Sequence, residues 1–274
     1  MTTGGDPPAF SRRAVLRTSG GALGLLSAGT VQATGEGGES NDACSETTVK
    51  PSTVPYDDSL SSVCRDDHPE TTALQSDVQA ALRDRYPTVG SLVDDGFVPY
   101  FDLFGAGDSG WSHWLNPDHL RDESVVDATR PESVLVDHKW WRPIGVMFAA
   151  TRDAERVDPP PSVYEDEDDG GACTPWHAHV GLPGRYSWWK FRALYVRELG
   201  EDRLGLPCRT PWVMHVWRYD HPESVYAHHA PPRGNRGGPP AEDAGFETDA
   251  VPGEDPLGPE VLPDAFLHRL KHLG

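Results

Sequence analysis

Positive charge is what this chain has least of. It sets 24 Lys+Arg against 43 Asp+Glu, a formal net charge of −19 over 274 residues, and lysine is scarce beside arginine. Such a surface repels polyanions, which excludes nucleic acid and anionic membrane as expected partners. Cysteine is sparse too, with four in all and no C-x-x-C, so a thiolate zinc ribbon or dithiol redox motif is absent. Glycine-rich nucleotide loops, a G-x-S-x-G elbow and an H-E-x-x-H helix are also missing, which removes three common enzyme classes. No apolar run makes a convincing membrane span. The best stretch, Ala14 to Val31, is diluted by Gly20, Gly21, Gly24, Ser27 and Gly29, and a membrane anchor is only the alternative reading of it.

What is there begins with an export signal. Arg12-Arg13 precede that weakly apolar stretch, and Val31-Gln32-Ala33 forms an A-x-A-like cleavage site. The pattern resembles a twin-arginine signal over residues 1–33, so the mature protein is expected to be secreted, with no membrane contact after cleavage. Residues 34–70 carry few apolar anchors and read as a flexible acidic and polar linker. A core domain is expected over residues 71–230, then a Pro/Gly/acid-rich linker over 231–260 and an amphipathic helix over 261–274. The acids are spread along the whole chain. That resembles proteins of salt-loving archaea and implies adaptation to salt, a halophilic surface rather than a binding patch.

Within the core, Leu74, Val78, Ala81 and Leu82 recur at helical spacing, and Tyr86-Pro87 ends that helix. Strand signals follow at Phe97–Leu103, Trp111–Leu115, Ser133–Asp137 and Ile144–Thr151, the last two as a hairpin. Two echoing phrases come next, Thr174-Pro175-Trp176-His177-Ala178-His179-Val180 and Thr210-Pro211-Trp212-Val213-Met214-His215-Val216. Proline opens such strands and the residues after it suit a half-buried sheet. Between them Trp188, Phe191, Tyr195 and Leu199 mark a helix that Gly200 stops. The fold class is therefore α+β, with a mainly antiparallel sheet and flanking helices; a β-sandwich is the alternative.

Several phrases are similar to those of a family of secreted bacterial and archaeal proteins. Gly110-Trp111-Ser112-His113-Trp114-Leu115-Asn116-Pro117 resembles its G-x-H-Y-V-N-P phrase. Arg130-Pro131-Glu132-Ser133-Val134-Leu135-Val136 resembles R-P-E-x-L-L-Y, and Ile144-Gly145-Val146-Met147-Phe148 resembles L-V-G-V-E-Y. His215-Val216-Trp217, followed by Asp220-His221-Pro222 and Val225-Tyr226-Ala227, resembles its H-V-W ending. The resemblance spans about residues 90–230 and implies a shared fold and shared positions, not an activity. His177 and His179 have no counterpart in the bacterial phrases, so it implies nothing for them.

The chemical lead is imidazole. Side chains alternate along a strand, so His177 and His179 share a face, and His215 lies on the matching strand. The expected metal ligands are His177, His179, His215 and His113, for zinc or copper. Glu132 is the carboxylate nominated as a base, or as a partner for an imidazole N–H. Metal-assisted hydrolysis and copper redox chemistry both fit such a set. The alternative is a non-catalytic extracellular domain whose histidines are hydrogen-bonding core residues. His221, His228, His229, His268 and His272 read as loop or tail residues. Four cysteines in an exported chain allow three disulfide connectivities. Cys44–Cys64 is the local choice. Cys173–Cys208 is excluded if the two T-P-W strands are antiparallel neighbours, because the cysteines would then lie roughly 20 Å apart, against the 4.4–6.8 Å that a disulfide spans.

Overall fold

A computed structural model describes residues 44–57, 64–100, 110–166, 171–195, 205–264 and 266. The expected signal 1–33, with its cleavage site at Ala33, lies outside them. The elements run β1 (Thr53–Pro55), α1 (Pro69–Asp84), α2 (Val89–Asp94), β2 (Val98–Tyr100), β3 (Trp111–Leu115), β4 (Ser133–Asp137), β5 (Arg142–Ala149), β6 (Thr151–Arg152), β7 (Glu155–Arg156), β8 (Tyr164–Asp166), β9 (Gly171–Cys173), β10 (His177–His179), α3 (Leu182–Tyr195) and β11 (Val213–Trp217). Seven strands form one antiparallel sheet in the order β1-β10-β11-β5-β4-β3-β2. The fold is α+β with a mainly β core. The β6–β7 and β8–β9 pairs are small separate ribbons rather than the second layer of a sandwich.

Register decides what each face carries. His113 pairs with Leu135, Leu135 with Gly145, and Gly145 with Trp217. One row on, Leu115, Ser133, Met147 and His215 line up; a further row joins Ala149, Val213 and His177. Because alternate residues share a face, all the histidines of the sheet fall on one side, among Leu135, Met147, Val213 and Trp217. α3 covers that side through buried Phe191 and partly buried Trp188. The other face carries Trp114, Val134, Val136, Val146, Phe148, Met214 and Val216, and α1 buries Val78 and Leu82 against them. Each such large apolar side chain contributes about 1.5–3 kcal/mol on leaving water.

The helix termini follow local chemistry. His68 caps α1, its Nδ1 accepting from the Glu70 amide at 3.2 Å, and Pro69 sits in the first turn, where it costs no hydrogen bond. Thr88 and Ser91 form a reciprocal capping box on α2. α3 opens at Leu182, ahead of the expected Trp188, because Pro183 is tolerated in a first turn; the expected end at Leu199 and Gly200 lies outside the described residues. Gln75 and Gln79 of α1 donate to the Trp217 and Arg218 carbonyls at 3.0 and 2.9 Å, fastening the helix to the end of β11. None of the helices among the described residues is long and apolar enough to cross a membrane.

The described parts of two segments expected to be loose are packed instead. Within 34–70, residues 53–55 form β1, the edge strand beside β10, and α1 begins at Pro69. Backbone pairing and two long-range disulfides, Cys44–Cys208 and Cys64–Cys173, supply the anchorage that apolar content does not. The local Cys44–Cys64 choice is thereby replaced. β10 and β11 are antiparallel neighbours, the arrangement that forbids Cys173–Cys208. Residues 231–260 also lie against the body. Amides of Ala241, Gly253 and Leu257 donate to the carbonyls of Trp140, Lys139 and His138 at 2.7–2.9 Å, so this stretch wraps the β4–β5 turn. Its contacts are backbone bonds, a few small or single apolar groups and the Arg236–Asp137 ion pair, which its Pro/Gly composition conceals. Gly245 shows why: it holds φ +80° and meets Gly90 of α2 backbone to backbone, where a Cβ on either would collide. The expected tail helix 261–274 falls mostly outside the described residues; Phe266 is buried with its ring centroid 6.5 Å from that of Trp114.

Candidate metal centre

β10 places His177 and His179 on the covered face of the sheet, one residue apart. Thr210 holds this stretch: its amide donates to the His179 carbonyl at 3.1 Å, and its hydroxyl accepts from the His179 amide at 3.0 Å. A third imidazole comes from beyond β11. There the chain doubles back, with the Trp217 amide donating to the Val225 carbonyl at 3.0 Å and the Trp217 indole to the Ala227 carbonyl at 2.7 Å. Those two bonds deliver His228 over the sheet. The potential ligand atoms of His177, His179 and His228 all lie within 4.8 Å of one another, so this group could hold a metal ion. A zinc ion with bonds of 2.0–2.1 Å spaces tetrahedral nitrogens roughly 3.3 Å apart, so the triad must close by up to about 1.5 Å around it.

The other expected ligands sit beside this triad. His215 is 1 % exposed, and both of its ring nitrogens are engaged: Nδ1 with the His228 carbonyl at 2.9 Å and Nε2 with His113 Nε2 at 3.3 Å. The rings of His177 and His215 have centroids 5.4 Å apart, and those of His215 and His228 stack at 5.6 Å. The sheet thus brings together all four predicted histidines, but it is His228, read from sequence as a loop residue, that completes the triad. The signal that could have found it is its place directly after the Val225-Tyr226-Ala227 phrase. Loop residues have no periodicity to mark them.

Burial sets the protonation of the cluster. It holds His113 down to about 3 and His228 to about 4, and it pushes His177 and His215 well below the ordinary range, with the neighbouring imidazoles adding to each shift. Neutral rings with bare lone pairs are the form that binds metal. His177 Nε2 is buried and has no hydrogen-bond partner among the described residues. A buried polar atom left unpaired is costly, and a metal ion would satisfy it. Gly184 of α3 permits this close cover, since a Cβ there would collide with the His179 ring.

A cavity of about 450 Å³ adjoins the triad. Its walls include His113, His179 and His228, with Trp111 from β3, Trp188 from α3 and Glu132. Glu132 is 1 % exposed, and one of its oxygens accepts from the Ala149 amide at 3.1 Å. The ligand atoms that converge are those of His177, His179 and His228, and Glu132 is not in that group. Burial pushes its pKa well up, against the backbone amides that favour ionisation. The carboxyl expected to act as a base is one that burial shifts toward its protonated form while it accepts a backbone amide.

Comparison with known proteins adds no name: no family model matches the chain, and neither a curated protein nor a solved structure matches it.

Proposed function

We propose that this is an exported protein that binds one transition-metal ion, zinc or copper, through His177, His179 and His228, with a remaining coordination position open to the adjoining cavity. The observation that carries the reading is the convergence of three imidazoles within 4.8 Å. The unpartnered His177 Nε2 supports it. Three nitrogen ligands and an open position are the donor set of catalytic zinc and are also compatible with copper. Export is supported by Arg12-Arg13 and Ala33 in the sequence and by two disulfides, which persist in oxidising compartments. The phrases that resemble those of a secreted family point the same way.

The test is elemental analysis of the purified protein. About one equivalent of zinc or copper is expected. His177→Ala, His179→Ala and His228→Ala should each abolish it, while circular dichroism shows the fold retained. A wild type that stays empty after incubation with both metals would overturn the reading and leave the histidines a structural network.

A further inference from the structure

The cavity beside the triad has a composition of its own. Its walls are apolar over most of their extent, with Leu115, Met147, Ala149 and Val213 from the sheet, Leu120 from the turn after β3, and two indoles, Trp111 and Trp188. Neither lysine nor arginine is among the lining residues. The one acidic group, Glu132, is buried and held by backbone amides. Bringing a charged molecule into such a place strips its hydration and returns no counter-charge, which is costly; an apolar body gains by leaving water. A volume of about 450 Å³ lies in the range of small-molecule sites.

We propose that this cavity binds an uncharged, largely apolar molecule bearing a carbonyl or other hydrogen-bond acceptor, with the acceptor at Glu132 and the apolar body between Trp111 and Trp188. The proposal names the ligand class of the site described above. It rests on that reading only for what a metal would add, since every group invoked here is present without one. A protonated carboxyl has one O–H to donate, and burial favours that form in Glu132. The acceptor of a neutral ligand would take it. The ligand's other end would then face the His179 and His228 wall, within reach of an ion held there.

The experiment uses the full mature chain, stripped of metal with a chelator, at pH 7. Three probes of similar size are titrated while indole fluorescence and ligand-observed NMR are followed: acetophenone, benzoate and benzylamine. Acetophenone should bind at least tenfold more tightly than the anion or the cation. Glu132→Gln, which keeps a donor, should hold affinity within a few-fold, whereas Glu132→Leu should weaken acetophenone at least tenfold. Ser187→Phe, on the α3 wall, should block all binding by filling the space. Equal or tighter binding of benzoate or benzylamine would overturn the proposal, as would no binding of acetophenone to the folded wild type. Because the metal is absent throughout, these outcomes do not depend on whether the triad binds one. Repeating the acetophenone titration on zinc-loaded protein separates the two readings. A metal-dependent change in its affinity adds support, and preference for acetophenone with no zinc taken up would leave the cavity proposal standing while the metal reading falls.

Discussion

His113 and His215 meet nitrogen to nitrogen, Nε2 to Nε2, at 3.3 Å. Two imidazoles can do this only if one donates and the other accepts. His215 Nδ1 faces the His228 carbonyl at 2.9 Å, and a carbonyl only accepts. The hydrogen-bond network therefore puts the His215 proton on Nδ1 and leaves its Nε2 as the acceptor, with His113 Nε2 donating. His215 spends its lone pair on His113 and its proton on the backbone of His228. In the proposed site it would position His228 and leave the ion to the triad.

That division of roles predicts a graded mutational response. His215→Phe removes the bond to the His228 carbonyl while keeping a planar ring in the core. Zinc affinity should fall by about 10–100-fold, the usual cost of losing an outer partner of a ligand, rather than vanish. His113→Phe should cost less, because the hydrogen bond it removes is to His215 and not to a triad residue. A competition titration against a chromophoric chelator measures both. Complete loss of binding in His215→Phe, equal to that in His228→Ala, would make His215 a ligand itself.

Sequence reasoning reached the face that carries this network through the alternation of His177-Ala178-His179 and the echo of the two T-P-W phrases. Runs of β-branched and aromatic residues in Val213–Trp217, Ser133–Asp137 and Ile144–Thr151 were enough to place the central strands. It did not reach His228, because the loop after β11 is shaped by two hydrogen bonds to Trp217 that leave no repeating pattern. Nor did it reach β1, whose three residues gain their place by pairing with β10 and by two disulfides across 164 and 109 residues. Composition speaks about the apolar surface a segment can bury. It is silent on backbone bonds to distant carbonyls, and those are what hold residues 241–257.

Glu132 gives a pH signature of the cavity wall. Burial raises its folded pKa above the unfolded value of about 4.5. A raised carboxyl contributes stability that is whole below pH 4.5 and is lost as pH rises through the folded pKa. Glu132→Gln retains an oxygen for the Ala149 amide but does not titrate. The variant should therefore gain on the wild type as pH rises from 4.5, by about 1.4 kcal/mol for each unit until the folded pKa is passed. Urea denaturation of metal-free protein at pH 4.5, 6 and 7.5 measures the difference. A constant gap across that range would show that Glu132 titrates alike in the folded and unfolded chains.

Arg236 decides whether the segment after β11 is part of the fold. Asp137, at the end of β4, has no exposed surface. One carboxylate oxygen accepts the amides of Lys139 and Trp140 at 2.9 and 2.7 Å, shaping the turn into β5. The other takes Arg236 Nη1 at 2.8 Å, and Arg236 Nε donates to the Pro231 carbonyl at 2.8 Å. Arg236→Ala removes the buried partner and leaves the carboxylate with Arg233, whose Nη1 is 4.0 Å away and whose side chain is 46 % exposed. Breaking a buried pair from one side costs about 3–5 kcal/mol, and Arg233 offsets little of that across water-accessible distance. The melting temperature should fall by several degrees, and limited proteolysis should then cut within residues 231–260 while the wild type resists there. Asp137→Asn with Arg236→Met, which removes both charges, should recover much of the loss. If Arg236→Ala melts as the wild type does and both proteins are cut in 231–260 alike, the segment does not dock on the β4–β5 turn, and the wrapping described for it fails.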